Sequence, residues 1–228
     1  MKRTLVFFTG VSGTGKTSFV DKVLPPTTLY NLKSATTRDP REGEINGRDY
    51  YFRDEEYFDV EHFATKIWVN KTVWQPGKKK WMYGVPEFEI FNHIGQDLSY
   101  AVIQPAYIKQ MQDWFYKKRL DSIYDFKIIW FQPMGNTESI VKNRQNMPDD
   151  MKVRQMNTCN LEDFKRAGLS YDFIVRFNQT NGAYYVVAKN GNKILPNLAM
   201  DGLLRKYGER NHIITVFENI QQPERGNY

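Results

Sequence analysis

Residues 10–17 are the segment of this chain whose spacing points most directly to chemistry. They fit the pattern G-x-x-x-x-G-K-[ST] at every fixed position. In such a loop, glycines let consecutive backbone N–H groups point at an anion, and a following helix adds its positive end. Lys16 is expected to reach the β- and γ-phosphates of a nucleoside triphosphate, and Thr17 to offer its hydroxyl to Mg²⁺. The predicted binding residues, for ATP with Mg²⁺, are Gly10, Ser12, Gly13, Thr14, Gly15, Lys16 and Thr17.

The elements on either side of this loop are those that would position it. Residues 5–9 are a short apolar run, which predicts a buried strand. Residues 16–24 have a helical pattern that Pro25-Pro26 ends. A strand, a glycine-rich loop and a helix in that order are typical of the start of an α/β nucleotide-binding fold.

Short apolar strands alternate with helices along the rest of the chain. Strands are predicted at 29–33, 100–103, 126–131 and 173–175, helices at 105–119 and 137–144, and hairpins at 68–83 and 184–195. This alternation is typical of an α/β fold.

Composition narrows the functional class. Of the 228 residues, 41% are hydrophobic and 25% charged, as in soluble globular proteins. The apolar residues after Met1-Lys2-Arg3 are too few for an export signal, and a single cysteine, Cys159, makes no internal disulfide. We therefore expect a cytoplasmic protein without a membrane partner. Its net charge of +6 favours polyanions, either nucleotide phosphates or nucleic acid.

A second set of chemically active residues lies between positions 34 and 52. The sequence there is Ser34-Ala35-Thr36-Thr37-Arg38-Asp39-Pro40-Arg41-Glu42-Gly43-Glu44, followed by Gly47-Arg48-Asp49-Tyr50-Tyr51-Phe52. Arg38 and Arg41, three apart on a turn, can hold one phosphate from two sides, and Tyr50 adds a hydroxyl donor.

This segment closely resembles the monophosphate-binding pattern of guanylate kinases, S-x-T-T-R-x-x-R-x-G-E followed by G-x-D-Y-x-F. Trp81-Met82-Tyr83-Gly84 is similar to the family's N-Y-Y-G. The resemblance implies that Ser34, Arg38, Arg41, Tyr50 and Tyr83 bind the acceptor nucleotide, while Lys16 and Arg38 serve catalysis. By order along the chain, Arg144 and Arg154 occupy the places of the family's lid arginines.

The resemblance covers about residues 1–178 and also implies an architecture. It implies a P-loop NTPase fold with a parallel sheet core, as one kinase domain over 1–180. That domain would hold an inserted monophosphate-binding subdomain at about 34–92 and a lid at about 137–157. Residues 181–228 are then a C-terminal extension with further α/β elements.

Three places differ from the family pattern. No carboxylate occurs at 67–70, where the family has a guanine-binding glutamate. Val85 replaces a serine or threonine, and the strand ending at Ile103-Gln104-Pro105 lacks the family's aspartates. A buried carboxylate that accepts from two guanine N–H groups contributes about 1–3 kcal/mol or more to base discrimination, so these three places do not by themselves predict guanine specificity.

Three hypotheses follow. The first is a kinase that phosphorylates a nucleoside or deoxynucleoside monophosphate. The second is a kinase for a modified nucleotide or a base within DNA, suggested by the aromatic and basic residues Trp74, Lys78, Lys79, Lys80 and Trp81. The third is a non-catalytic guanylate-kinase-like binding module, suggested by the absent aspartates.

Overall fold

The computed structural model describes residues 3–11, 14–16, 19–20, 30–70, 80–93, 95–96, 98–134, 161–178 and 184–188. The strands are β1 (Arg3–Gly10), β2 (Tyr30–Asn31), β3 (Ala35–Thr36), β4 (Tyr51–Phe52), β5 (Phe63–Asn70), β6 (Lys80–Pro86), β7 (Leu98–Val102), β8 (Tyr124–Met134), β9 (Phe173–Asn178) and β10 (Tyr184–Ala188). The helices are α1 (Glu55–Val60), α2 (Glu87–Asn92), α3 (Pro105–Lys117) and α4 (Leu161–Arg166). None of these helices has the length and apolar character required to cross a bilayer.

In the part of the chain that the structure describes, the main sheet has six strands in the order β10-β9-β8-β1-β7-β2. β1 lies at its centre and pairs in parallel with β7 and β8, while β2 and β9 extend the parallel arrangement outward. A strand paired on both sides and covered on both faces must be apolar throughout, and Leu5 to Phe8 are fully buried. The predicted α/β fold with a parallel sheet core is confirmed.

The two faces of β1 pack against different helices because successive side chains point to opposite faces. Leu5 and Phe7 share a hydrophobic cluster with α3. Phe8 instead packs against Phe19, at a ring-centroid distance of 6.0 Å. Residues 16, 19 and 20 are helical, so Phe19, within the helix predicted after the loop, lies on this second face.

α3 forms as its sequence predicts. Pro105 opens it, where a missing backbone N–H costs nothing. Ile108, Met111 and Phe115 follow at helical spacing and are fully buried, while Lys117 lies in the last turn. This apolar stripe holds the helix against the sheet.

A second, small sheet has the strand order β4-β3-β6-β5. β5 and β6 form the predicted antiparallel hairpin, with pairing from Phe63↔Pro86 to Asn70↔Lys80. Ala35, Phe58 and Met82 form the centre of a small hydrophobic cluster in this part of the chain. Because Ala64, Val85 and Ile90 belong to the same cluster as α3, the small sheet is packed onto the main core.

Two of the predicted segments are only partly described. The strand predicted at 29–33 is shorter than predicted, because β2 ends at Asn31 and Leu32 and Lys33 lie beyond it, while residue 29 is outside the described residues. Within 184–195, β10 pairs antiparallel with β9 and so continues the main sheet beyond residue 180. The helix predicted at 137–144 and the lid at 137–157 lie outside the described residues.

Candidate functional site

The loop after β1 has a backbone that only glycine tolerates at its first position. Gly10 has a φ of +134°, and a Cβ there would lie 2.3 Å from the carbonyl oxygen of Phe131. Gly15 also has a positive φ, of +71°. The fixed glycines therefore let the chain turn sharply at the carboxyl end of β1, directly against the neighbouring strand β8.

The Lys16 ammonium is held inside this loop. Its Nζ donates hydrogen bonds to the carbonyl oxygens of Gly10, at 2.8 Å, and Val11, at 2.7 Å. The buried Thr14 donates its hydroxyl to the same Val11 carbonyl at 2.7 Å. The loop thus presents a cation at the start of a helix, an arrangement suited to phosphate. Ser12, Gly13 and Thr17 lie outside the described residues.

Arg38 is the most deeply buried cation of the second predicted segment. The residue is 5% exposed. Its Nη2 donates to both carboxylate oxygens of Glu44, at 2.8 and 3.0 Å, and its Nη1 donates to the Asp39 carbonyl at 2.6 Å. Burial alone would lower the pKa of Arg38, but the hydrogen bond to Glu44 and the electrostatic effects of Tyr83, Glu44 and Tyr50 together outweigh burial and raise it. The guanidinium is therefore charged at any physiological pH.

The two threonines before Arg38 fix its place on the small sheet. The Thr37 hydroxyl accepts a hydrogen bond from the Met82 backbone N–H at 2.9 Å, and the Thr37 N–H donates to the Met82 carbonyl at 3.1 Å. The Thr36 hydroxyl accepts from the Arg38 N–H at 3.1 Å. The paired threonines of the sequence pattern thereby tie the arginine-bearing turn to β6.

Tyr50 and Tyr83 lie beside Arg38. The Arg38 guanidinium carbon is 5.5 Å from the Tyr50 ring centroid, and the rings of Tyr50 and Tyr83 are 6.3 Å apart, edge to face. Burial raises the pKa of Tyr50, and the neighbouring Tyr83 raises it further. The Tyr50 hydroxyl thus stays protonated and can donate a hydrogen bond. We call Arg38, Tyr50 and Tyr83 the arginine–tyrosine cluster.

Arg41 and Ser34 lie at the edges of this cluster. Arg41 is exposed, and its backbone N–H donates to Glu44 Oε2 at 2.7 Å, so Glu44 binds both predicted arginine positions. Ser34 is half-buried, and its carbonyl accepts from the Tyr51 N–H at 3.0 Å. Arg144 and Arg154, predicted for the lid, lie outside the described residues.

The turn between Arg41 and Tyr50 is fixed by the Gly and Asp of the sequence pattern. Gly47 has a φ of +81°, and its N–H donates to the Tyr50 carbonyl at 2.8 Å. Asp49 accepts from the Ile45 N–H at 2.8 Å and pairs with Arg48 at 2.7 Å. Burial raises the pKa of Asp49, but the hydrogen bonds from Ile45 and Arg48 and the charge of Arg48 together outweigh burial and lower it. The carboxylate therefore stays charged.

The sheet topology brings the loop and the arginine–tyrosine cluster to one side of the molecule. β1, β7 and β2 are parallel, so their carboxyl ends lie at the same edge of the main sheet. The loop leaves β1 at that edge, and the chain leaves β2 there to enter β3 and the turn that holds Arg38. In open α/β sheets, ligands bind outside this edge.

Sequence reasoning did not find Glu89. Its side chain is buried and accepts hydrogen bonds from the hydroxyls of Tyr30, at 2.9 Å, and Tyr51, at 2.8 Å, and from the Lys33 backbone N–H, at 2.8 Å. A signal was present in the sequence, because the glutamate stands among Phe88, Ile90 and Phe91. A charge on the apolar side of a short helix indicates a buried partner.

At two of the places where the sequence departs from the family pattern, the side chains are apolar. Val85 is 1% exposed and lies in the hydrophobic cluster of α3, with its N–H donated to the Thr65 hydroxyl at 3.0 Å. β7 carries Tyr100, Ala101 and Val102, so no carboxylate lies on the last three residues of that strand.

The N-terminal part of the chain is similar in sequence to known proteins. Residues 1–84 match the family model described as guanylate kinase. Over 68 residues the chain is 46% identical to a guanylate kinase of Psychrobacter arcticus, covering 29% of this chain and 30% of that protein. Over 60 residues it is 48% identical to a guanylate kinase of Thermus thermophilus, covering 26% and 27%. Over 58 residues it is 45% identical to one of Clostridium tetani, covering 25% and 28%.

These alignments span less than a third of the length of each relative. A solved structure, that of guanylate kinase from Anaplasma phagocytophilum, is 19% identical and covers 77% of this chain and 76% of its own, with a TM-score of 0.45. The predicted resemblance to guanylate kinases is confirmed for the N-terminal part of the chain. The family match contains every predicted site residue from Gly10 to Tyr83 and ends directly before Val85.

Proposed function

We propose that this chain is a P-loop kinase that transfers the γ-phosphate of ATP to a nucleoside or deoxynucleoside monophosphate. One observation carries the proposal. The phosphate loop, with its lysine intact, follows β1 at one edge of the parallel sheet. The chain leaves β2 at the same edge and leads to a buried, charged arginine with two tyrosines beside it. The loop accounts for a triphosphate, and the arginine–tyrosine cluster accounts for a second phosphate.

On the donor side, Lys16 supplies the charge. Its ammonium now donates to the carbonyls of Gly10 and Val11, and phosphate oxygens of ATP would replace these neutral acceptors with charged ones. Thr17 follows in the sequence pattern as the hydroxyl ligand of Mg²⁺, which neutralises charge on the phosphates when bound. Mg²⁺ is commonly bound by a few protein oxygens together with the phosphates of the substrate.

On the acceptor side, Arg38 and Arg41 hold the monophosphate, and the hydroxyls of Tyr50 and Tyr83 donate to its oxygens. Holding the acceptor in place lets one of its phosphate oxygens attack the γ-phosphorus. The bond from the γ-phosphorus to the β–γ bridging oxygen breaks, and ADP leaves. A transfer of this kind depends on positioning and charge more than on a general base. The acceptor oxygen is already ionised, so no side chain has to remove a proton.

Arg144 and Arg154 belong to this proposal through their places in the sequence. As lid arginines, they would approach the triphosphate when both nucleotides are bound and stabilise charge that develops during transfer. Closure would also exclude water, which suppresses ATP hydrolysis.

The side chains at the positions that differ from the family pattern bear on which base the acceptor carries. With Val85 in the core and no carboxylate on the last three residues of β7, we expect weak discrimination for guanine. An apolar contact discriminates between bases less strongly than a buried carboxylate that accepts hydrogen bonds from the base. We therefore expect more than one monophosphate to be accepted.

A second candidate is a kinase acting on a modified nucleotide or on a base within DNA. Pairing of β5 with β6 continues to Asn70↔Lys80, next to the sequence that holds Trp74, Lys78 and Lys79. Basic and aromatic residues together suit single-stranded nucleic acid. This candidate requires oligonucleotide binding that weakens steeply with salt, and passage through a DNA column at low salt without retention excludes it.

The proposed function is tested by coupled ADP release with ATP, Mg²⁺ and each ribo- and deoxynucleoside monophosphate in turn. We expect release that depends on at least one monophosphate and is lost in Lys16→Ala. If no monophosphate raises ADP release above the rate with ATP alone, the proposal is wrong.

A further inference from the structure

Glu89 is a buried carboxylate that three donors from two separate segments of the chain hold in place. It lies on α2, directly after the small sheet, and its side chain is 1% exposed. One oxygen accepts from the Tyr30 hydroxyl and the Lys33 N–H, and the other accepts from the Tyr51 hydroxyl. We call these four residues the Glu89 junction.

The junction satisfies a charge that would otherwise be costly to bury. A carboxylate removed from water requires compensating donors, and three donors at 2.8–2.9 Å supply them. Burial and the hydrogen bond to Glu89 raise the pKa of Tyr30, and the same two causes raise that of Tyr51 to about 12. Both tyrosines therefore remain hydroxyl donors, and the Lys33 ammonium adds an opposite charge 3.9 Å from the carboxylate.

The three donors come from the two sheets and the segment that joins them. Tyr30 lies on β2, the edge strand of the main sheet, and Lys33 lies in the segment from β2 to β3. Tyr51 lies on β4, the edge strand of the small sheet, next to Tyr50. Glu89, on the helix that follows the small sheet, is thus hydrogen-bonded to the edge strand β4 of that sheet, to β2 of the main sheet and to the segment that joins the two sheets.

We propose that Glu89 is a positioning residue for the acceptor, because it sets where the arginine–tyrosine cluster stands relative to the phosphate loop. Tyr50 precedes Tyr51, and Arg38 follows Lys33 by five residues, so movement at the junction displaces both phosphate-binding side chains. The phosphate loop leaves the central strand β1 and takes no part in the junction. This inference rests on the proposed kinase function, since it names a residue that serves the acceptor site.

Tyr51→Phe tests the inference without disturbing the core. The variant keeps the ring that packs against Phe88, at a centroid distance of 5.4 Å, and removes one hydroxyl bond to Glu89. We expect the acceptor KM to rise about fivefold or more, as for a lost bond to a buried charge, with the KM for ATP within about twofold of wild type. Tyr116→Phe is the control, because Tyr116 is a tyrosine 75% exposed on α3.

Glu89→Gln supplies the second variant. The amide keeps the shape of the side chain, its oxygen can accept from Tyr30 and Lys33, and its NH₂ can donate to the Tyr51 oxygen. We expect an acceptor KM closer to wild type than that of Glu89→Ala, in which all three donors lose their acceptor. Acceptor KM values unchanged in Tyr51→Phe, or raised equally with the KM for ATP, overturn the inference. If wild type phosphorylates no monophosphate, the proposed function fails first and the inference falls with it.

Discussion

The Arg38 guanidinium lies against the Glu44 carboxylate, with Nη2 2.8 Å from one oxygen and 3.0 Å from the other. Arg38 is 5% exposed, so its charge is neutralised by this partner before any ligand arrives. In the proposed function, the acceptor phosphate brings a second negative group to the same guanidinium. Glu44 therefore keeps the phosphate-binding arginine folded into place and also competes with the phosphate for its donors.

Glu44→Gln should make the stability of the folded protein depend more strongly on bound monophosphate. Losing the carboxylate leaves a buried cation without its counter-charge, which we expect to cost about 1–3 kcal/mol. A bound monophosphate restores a negative charge at Arg38. We therefore expect a lower Tm than wild type without ligand and a larger rise in Tm on adding saturating monophosphate, both measured by thermal unfolding. An equal ligand-induced rise in the two proteins contradicts this relationship.

Arg38→Lys should weaken binding of the acceptor monophosphate more than binding of ATP. Lysine keeps the charge but loses the planar fork that donates to Glu44 and to a phosphate together. We expect the acceptor KM to rise about tenfold or more, with the KM for ATP little changed, in steady-state ADP release. Arg48→Lys is a matched control, because Arg48 is an exposed arginine on the next turn, between Arg41 and Tyr50. Equal effects of the two substitutions would show that Arg38 does not contact the acceptor.

Gly84→Ala should destabilise the small sheet. A Cβ at Gly84 would lie 2.3 Å from the Thr65 carbonyl oxygen and 2.5 Å from the Phe63 ring, so the β5–β6 hairpin must shift. Overpacking of this kind costs about 1–3 kcal/mol, which urea unfolding measures. Gly95→Ala is the control, because a Cβ there meets nothing within 4 Å. An unchanged unfolding midpoint in Gly84→Ala would contradict the described packing.

Glu87 should contribute stability that acid removes. The carboxylate accepts from Trp114 Nε1 at 2.6 Å and from Lys118 Nζ at 3.2 Å, and so joins α2 to α3. Burial raises the pKa of Glu87, but these two partners outweigh burial and lower it below its ordinary value. A lowered pKa stabilises the folded state above the unfolded-state pKa, near 4.3, and this stability disappears as pH falls through the folded-state pKa.

Glu87→Gln removes that dependence while keeping the shape of the side chain. We expect wild type to be the more stable protein at pH 7, and the difference in unfolding free energy to shrink below about pH 4.5. Urea unfolding of both proteins from pH 7 to pH 3.5 measures it. A difference that stays constant over this range would show that the Glu87 charge does not contribute.

Local patterns in the sequence predict much of the main sheet and of the phosphate loop. β1 and α3 follow from apolar spacing and from Pro105, and Gly10 is needed because a strand, a loop and a helix succeed each other within a few residues. The resemblance of residues 38–52 and 81–84 to the guanylate kinase pattern implies the arginine–tyrosine cluster, and the structure brings Arg38, Tyr50 and Tyr83 together.

Long-range contacts were beyond such patterns. Glu89 is 59 residues from Tyr30 and 38 from Tyr51, and no local rule pairs a helical glutamate with two distant tyrosines. β3 and β4 are two residues each, too short to show an alternating pattern. They form because β3 pairs with β6 and β4 pairs with β3. The partner of β10 is likewise β9, which a turn signal after β10 does not reveal.

The most direct test of the central claim is where the γ-phosphate goes. ATP labelled at the γ-phosphate is mixed with excess enzyme, Mg²⁺ and a monophosphate that supports ADP release, and the products of one turnover are separated. The proposed mechanism predicts that the label appears in the nucleoside diphosphate formed from the acceptor, and that Arg38→Lys slows its appearance at low acceptor concentration. Label found only as inorganic phosphate, or left in ATP with every monophosphate, would contradict it.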